Sequence, residues 1–212
     1  LVIFDPLLIV QDLSMHSSVY LKNTIIKVAI YIFLFLLSGC TGTENYQPAP
    51  EWTPMRWWNQ EIPDLASLKG KTVLIRWWTD GCEYCIASAD ALNHWHETLA
   101  DSGLQVIGMY HPKPEPRPLE DNEVYDYIRD KGFRFAVAED ADWSNLKRYW
   151  LDQGPKEFTS VSFLIDHKGM IRYIHPGGEY HRDSISGHEH CLQQYHLMDS
   201  IIRVLIREQK LD

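Results

Sequence analysis

Lys71-Thr-Val-Leu-Ile-Arg-Trp-Trp78 followed by Thr79-Asp80-Gly81-Cys82-Glu83-Tyr84-Cys85 is the stretch on which the fold turns. Apart from Lys71 and Arg76, its first eight residues are β-branched, apolar or aromatic, the composition of a buried strand. The turn after it ends in two cysteines at i and i+3. From Cys82 to Ala100, Cys85, Ala89, Leu92, Trp95 and Leu99 fall at the spacing of one helical face. Strand, short turn, C-x-x-C and helix therefore stand in that order.

Cysteines so spaced at the first turn of a helix face the same way and can close a small disulfide ring. The first sulfur sits near unpaired N–H groups and the positive end of the macrodipole, which favour a thiolate. The second is shielded one turn on. Such asymmetry suits exchange: the exposed thiolate attacks a substrate disulfide and its neighbour resolves the mixed disulfide. A zinc half-site has the same spacing but needs a second C-x-x-C pair, which the chain lacks. A purely structural disulfide across two residues would restrain little chain entropy.

Beyond the first helix the pattern alternates. Leu104–Tyr110 reads as a strand, residues 111–118 as a proline-rich loop, 120–131 as a helix, 134–138 as a short strand and 145–150 as a short helix. Residues 161–165 and 170–175 read as strands joined by Asp166-His167-Lys168-Gly169, a hairpin signal. A last helix spans about 189–208, with Cys191, Tyr195, Met198, Ile202 and Leu205 on one face. The fold class is α/β, with a mixed central sheet flanked by helices.

Upstream, Val28–Leu37 is a run of ten apolar residues, preceded by Lys22 and Lys27 and followed by Ser38 and Gly39. This is the order of a secretory signal, and the run is about half of the roughly 20 residues that span a bilayer. Leu37-Ser38-Gly39-Cys40 resembles the lipobox of bacterial lipoproteins, which implies lipidation of Cys40 and a membrane held through the lipid anchor. Met15 is the expected start, with residues 1–14 an over-extended translation. The reading divides the chain into a leader at 1–40, a polar, proline-containing tether at 41–63 and a domain at 64–212. The expected place is the cell envelope, facing the periplasm or the exterior.

The 212 residues carry a formal charge of −9. Removing the leader's two lysines and two aspartates leaves 18 basic and 27 acidic residues, again −9, so no basic stripe remains for nucleic acid. Four cysteines are too few for a disulfide scaffold in a chain this long.

Residues 74–85, 106–110, 133–140 and 158–169 together resemble the thioredoxin-like envelope reductases of the TlpA/ResA-like group, over about Ile62–Arg207. The resemblance implies a thioredoxin-like fold with a strand–helix insertion between Tyr110 and Asp140. It also implies thiol–disulfide exchange, with Cys82 as nucleophile, Cys85 as resolving thiol and no cofactor beyond their redox-active disulfide. The expected partners are a protein disulfide substrate and an upstream thiol electron donor.

Several positions depart from the group and modulate the expected site. Gly81 replaces the usual Trp, and Glu83 and Tyr84 lie between the cysteines. The position of the group's cis-proline falls on Ser160, after Thr159; a cis bond there would cost about 2.5–4 kcal/mol, so a trans bond is expected. Arg76 takes the place of a buried acid or amide beneath the second cysteine; it could face the sulfurs, face solvent or pair with an acid. Glu83 should disfavour the Cys82 thiolate, and Arg76, if aimed at the sulfurs, should favour it.

Two other readings stay open. Thr79-x-x-Cys82 is also the motif of a peroxiredoxin-like peroxidase, although Ile75 replaces its proline. A copper- or zinc-binding module could use the C-terminal crowding of His175, His181, His188, His190, Cys191 and His196. No metal site is assigned: His181, His188 and His190 read as solvated loop histidines, and Cys191 as a buried core thiol. Trp77, Trp78, Trp95 and Trp150 read as packing, and His175–Tyr180 as a turn that could border the substrate groove.

Overall fold

Burial of alternate side chains on opposite sides of one strand organises the molecule. In the computed structural model, which describes residues 46–53, 55–120 and 122–211, the run after Gly70 forms strand β3 (Thr72–Trp78), buried along its whole length. Leu74 and Trp78 enter one hydrophobic cluster, and Val73, Ile75 and Trp77 enter another. A strand buried on both faces must lie in the middle of a sheet, and it does.

Strand β3 pairs in parallel with β4 (Leu104–Tyr110) and antiparallel with β6 (Ser162–Ile165). On one side β4 pairs in parallel with β5 (Ala136–Glu139); on the other β6 pairs antiparallel with β7 (Met170–His175). The first cluster is filled by helices α1 (Glu83–Ala87), α2 (Ala89–Leu99), α3 (Glu123–Lys131) and α5 (Glu189–Gln209). The second is closed by α4 (Ser144–Tyr149) and by residues 52–68. Helix α3 and strand β5 are the strand–helix insertion expected between Tyr110 and Asp140. The four tryptophans read as packing are buried, Trp77 and Trp95 completely.

One boundary differs from the sequence reading. The segment expected to be a tether to residue 63 is, from Tyr46 onward, part of the compact unit. Gln47–Pro48 (β1) pairs antiparallel with β7, and Trp57–Trp58 (β2) with β5, so this segment supplies both edges of a seven-stranded sheet ordered β1-β7-β6-β3-β4-β5-β2. Trp52 and Ile62 are buried, and Asn59 Nδ2 donates to the carbonyls of Phe133 and Phe135. Apolar burial rather than backbone propensity fixes the segment here. The leader at 1–40, Cys40 and the start of the tether lie outside the described residues.

The single helix expected from Cys82 to Ala100 is divided at Ser88. The Ser88 hydroxyl donates back to the Tyr84 carbonyl at 2.9 Å, a bond that bends helices, and its oxygen accepts the Tyr180 N–H at 3.2 Å. The break thus doubles as a docking point for the loop after β7.

Candidate active site

Gly81 has φ +64, a left-handed conformation that a β-carbon would strain, which accounts for glycine where the group carries Trp. The turn delivers Cys82 to the N-cap of α1, where its sulfur accepts the Cys85 N–H at 3.2 Å. Cys82 is partly exposed and Cys85 is 3% exposed. The two sulfurs are joined in a disulfide, with the Cα atoms 5.2 Å apart. The accessible-first, buried-second order expected from the spacing is therefore present.

Glu83 is exposed in the first turn of α1. Tyr84, 49% exposed, meets the edge of Phe158 with ring centroids 6.3 Å apart. Phe158 leads into Thr159 and Ser160, whose connecting bond is trans as expected. A β-carbon on Gly177 would lie 2.3 Å from Phe158 Cβ, so the turn after β7 closes against this loop only because residue 177 is glycine. The segment His175–Tyr180 thus borders the loop beside the cysteines.

Arg76 neither faces solvent nor pairs with an acid among the described residues. It is 1% exposed, on the sheet face that carries Leu74, Trp78 and Cys85. Its guanidinium donates to the Gly178 carbonyl at 2.6 Å and to Ser162 Oγ at 3.2 Å, and it lies 5.1 Å from the centre of the Tyr180 ring. Cross-strand register aligns Arg76 with Ser162 and Ser162 with His175, a polar row across three strands. Burial lowers the Arg76 pKa. Burial first, then the Arg76 charge, depresses the His175 pKa to about 4.

Further polar groups at the site give no periodic signal in the sequence. His111, fully buried, sets Nε2 2.8 Å from Thr159 Oγ1 and so ties the end of β4 to the loop facing the cysteines. Burial holds its pKa down to about 3, so it is a neutral hydrogen-bonding strut. Tyr110 Oη lies 2.9 Å from Asp80 and 3.2 Å from Glu123, and its one proton serves two carboxylates. Arg117 pairs with both oxygens of the Glu123 carboxylate. Asp80 also accepts the Thr79 hydroxyl at 3.1 Å, which turns that threonine toward the carboxylate. The His111–Thr159 and Tyr110–Asp80 contacts leave no trace in the periodicity, because each joins residues far apart in the chain.

The C-terminal ligand types are only partly brought together. His181, His188 and Cys191 converge, joined by Glu179, whereas the exposed His190 is not in the group. His181 is 6% exposed rather than solvated. Cys191 is the free cysteine among the described residues, and it sits half-buried in the first turn of α5, ahead of the buried stripe that begins at Tyr195.

Residues 46–174 match the AhpC/TSA family. The chain is 33% identical over 152 residues to the protein DipZ of Mycobacterium tuberculosis, covering 67% of this chain but 20% of that one, so it spans about a fifth of that relative's length. It is 25% identical over 153 residues to the thiol-disulfide oxidoreductase ResA of Bacillus anthracis, covering 66% of this chain and 82% of that one. A solved thiol:disulfide interchange protein of the thioredoxin family from Chlorobium tepidum superposes with a TM-score of 0.56 at 19% identity, over 76% of this chain and 97% of that one. That likeness establishes the thioredoxin-like fold.

Proposed function

This chain belongs to the AhpC/TSA family, and we propose that it works as a thiol–disulfide oxidoreductase of the bacterial cell envelope that reduces protein disulfides. The observation that carries this reading is the partly exposed Cys82 at a helix N-cap, joined to a buried Cys85. In the reduced protein the Cys82 thiolate attacks one sulfur of the client disulfide. That S–S bond breaks, and the leaving thiolate takes up a proton. Cys85 then loses its proton and attacks Cys82 Sγ, releasing the second client thiol and closing the Cys82–Cys85 disulfide. Two electrons pass to the client, and an upstream dithiol returns them. The chemistry calls for no cofactor beyond the cysteine pair.

Tyr84 and Ile86, both exposed large side chains just beyond Cys82, with Phe158 beside Tyr84, offer an apolar rim for a protein client. The lipobox supports anchoring through Cys40. A peroxidase reading gains little: Thr79 turns to Asp80, and Arg76, Arg117 and Arg182 are bonded to Gly178, Glu123 and Asp90.

Trapping with Cys85→Ser tests the proposal. The variant should accumulate proteins disulfide-linked to Cys82, and the native protein should reduce insulin disulfides. No trapped client together with no insulin reduction would sink the reading. Rapid peroxide consumption dependent on Cys82 would replace it with a peroxidase.

A further inference from the structure

Four ligand atoms converge where the loop after β7 meets the first turn of α5. Glu179, His181, His188 and Cys191 each present one, and all lie within 4.8 Å of one another. Glu179 is the hub: its Oε1 is 3.0 Å from His188 Nδ1 and 3.3 Å from Cys191 Sγ, and those two atoms are 4.0 Å apart. The rings of His181 and His188 have centroids 5.5 Å apart.

A separate observation concerns His181 alone. Its Nδ1 lies 3.0 Å from the Asp183 carbonyl, which can only accept, so Nδ1 carries the proton and the lone pair is left on Nε2. That Nε2 is buried and has no hydrogen-bond partner. A buried acceptor left unpaired costs about 1–3 kcal/mol. Fixing one imidazole nitrogen on a backbone carbonyl while freeing the other is how proteins hold metal-ligating histidines.

We propose that Glu179, His181, His188 and Cys191 form a four-coordinate site for a divalent transition metal, Zn²⁺ above all. Two nitrogens, one sulfur and one oxygen make a borderline donor set that suits Zn²⁺ and leaves Ca²⁺ and Mg²⁺, which require oxygen, poorly served. Zinc bonds of about 2.0–2.3 Å need ligand atoms within roughly 4 Å of one another, a small contraction from the present spacing. The exposed His188 gives the ion an entry side. The site stands apart from the Cys82–Cys85 chemistry, but its loop does not: Tyr180 N–H binds Ser88 Oγ and Arg182 pairs with Asp90 at 2.8 Å, both at the start of α2. An ion here clamps residues 179–191 and with them the Tyr180 ring over Arg76.

The test uses the full chain in its oxidised form, so that Cys82 and Cys85 are closed to metal. Zn²⁺ titration against a chromophoric chelator should give one ion per chain and raise the melting temperature. Substituted Co²⁺ should show thiolate-to-metal charge transfer. Cys191→Ser and the exposed His188→Ala should each weaken Zn²⁺ binding about 100-fold or more, and His190→Ala should leave it unchanged. Melting of each variant without metal separates lost ligation from lost folding. Absence of stoichiometric Zn²⁺ in the oxidised protein, or native affinity in both Cys191→Ser and His188→Ala, would overturn the site. Neither result bears on the oxidoreductase reading, which rests on Cys82 and Cys85.

Discussion

Arg76 carries its charge into the core on the face of the sheet that holds Cys85, and what answers it is a carbonyl, a hydroxyl and an aromatic ring. A buried cation favours the thiolates of the reduced pair and so raises the reduction potential. Arg76→Met should therefore shift the potential to more negative values, by about 30 mV for each 1.4 kcal/mol of lost thiolate stabilisation, as read by equilibration with glutathione. Relieved of desolvation, the same variant should unfold at a higher denaturant midpoint, with a gain on the order of 1 kcal/mol. A potential unmoved by the substitution would remove Arg76 from the redox machinery. The cysteines were legible because their spacing alone states their geometry. The fate of Arg76 was not, since it depends on Tyr180 and Gly178, about a hundred residues away and on a loop with no period to read. His111 was hidden for the same reason: its partner Thr159 belongs to another loop.

Among the elements, the two edge strands show where pattern reading ends. The bounds of β4 and β7 match the sequence reading residue for residue, because six or seven consecutive strand residues carry a signal. Strands β1 and β2 have two residues each, too short to alternate, and prolines at 48, 50 and 54 argue for a linker. What holds them is tertiary. The Trp52 ring packs 6.0 Å from Trp57, and its Nε1 donates to the Pro63 carbonyl at 3.2 Å. Trp52→Ala should cost about 3–5 kcal/mol in urea unfolding. It should also hasten proteolytic cleavage in residues 46–63, the segment that closes the sheet edges. A change below about 1 kcal/mol would show that the segment adheres without contributing to the core.

At the scale of the molecule, two buried histidines make acid a costly condition for the fold. His111 and His175 are held neutral by burial, with pKa values near 3 and 4 against about 6.5 for an exposed histidine. The unfolded chain takes up these protons first as pH falls. Stability is therefore fully present above about pH 6.5 and drains away toward pH 4 for His175 and pH 3 for His111. Each contributes a slope of about 1.4 kcal/mol per pH unit within its window. Urea unfolding between pH 7 and 5 should show this decline, and His111→Gln or His175→Gln should flatten it by roughly half. A slope unchanged in both variants would assign acid sensitivity to the carboxylates instead. The early start of the folded unit at Tyr46 has a consequence of another kind. With Cys40 carrying lipid as proposed, six residue steps separate the acyl chains from the body of the enzyme. Fully stretched they reach about 20 Å, whereas a tether to residue 64 would reach about 80 Å. Under that anchoring, so short a leash would confine the protein to the bilayer surface, and its clients would have to come to the membrane or be made there.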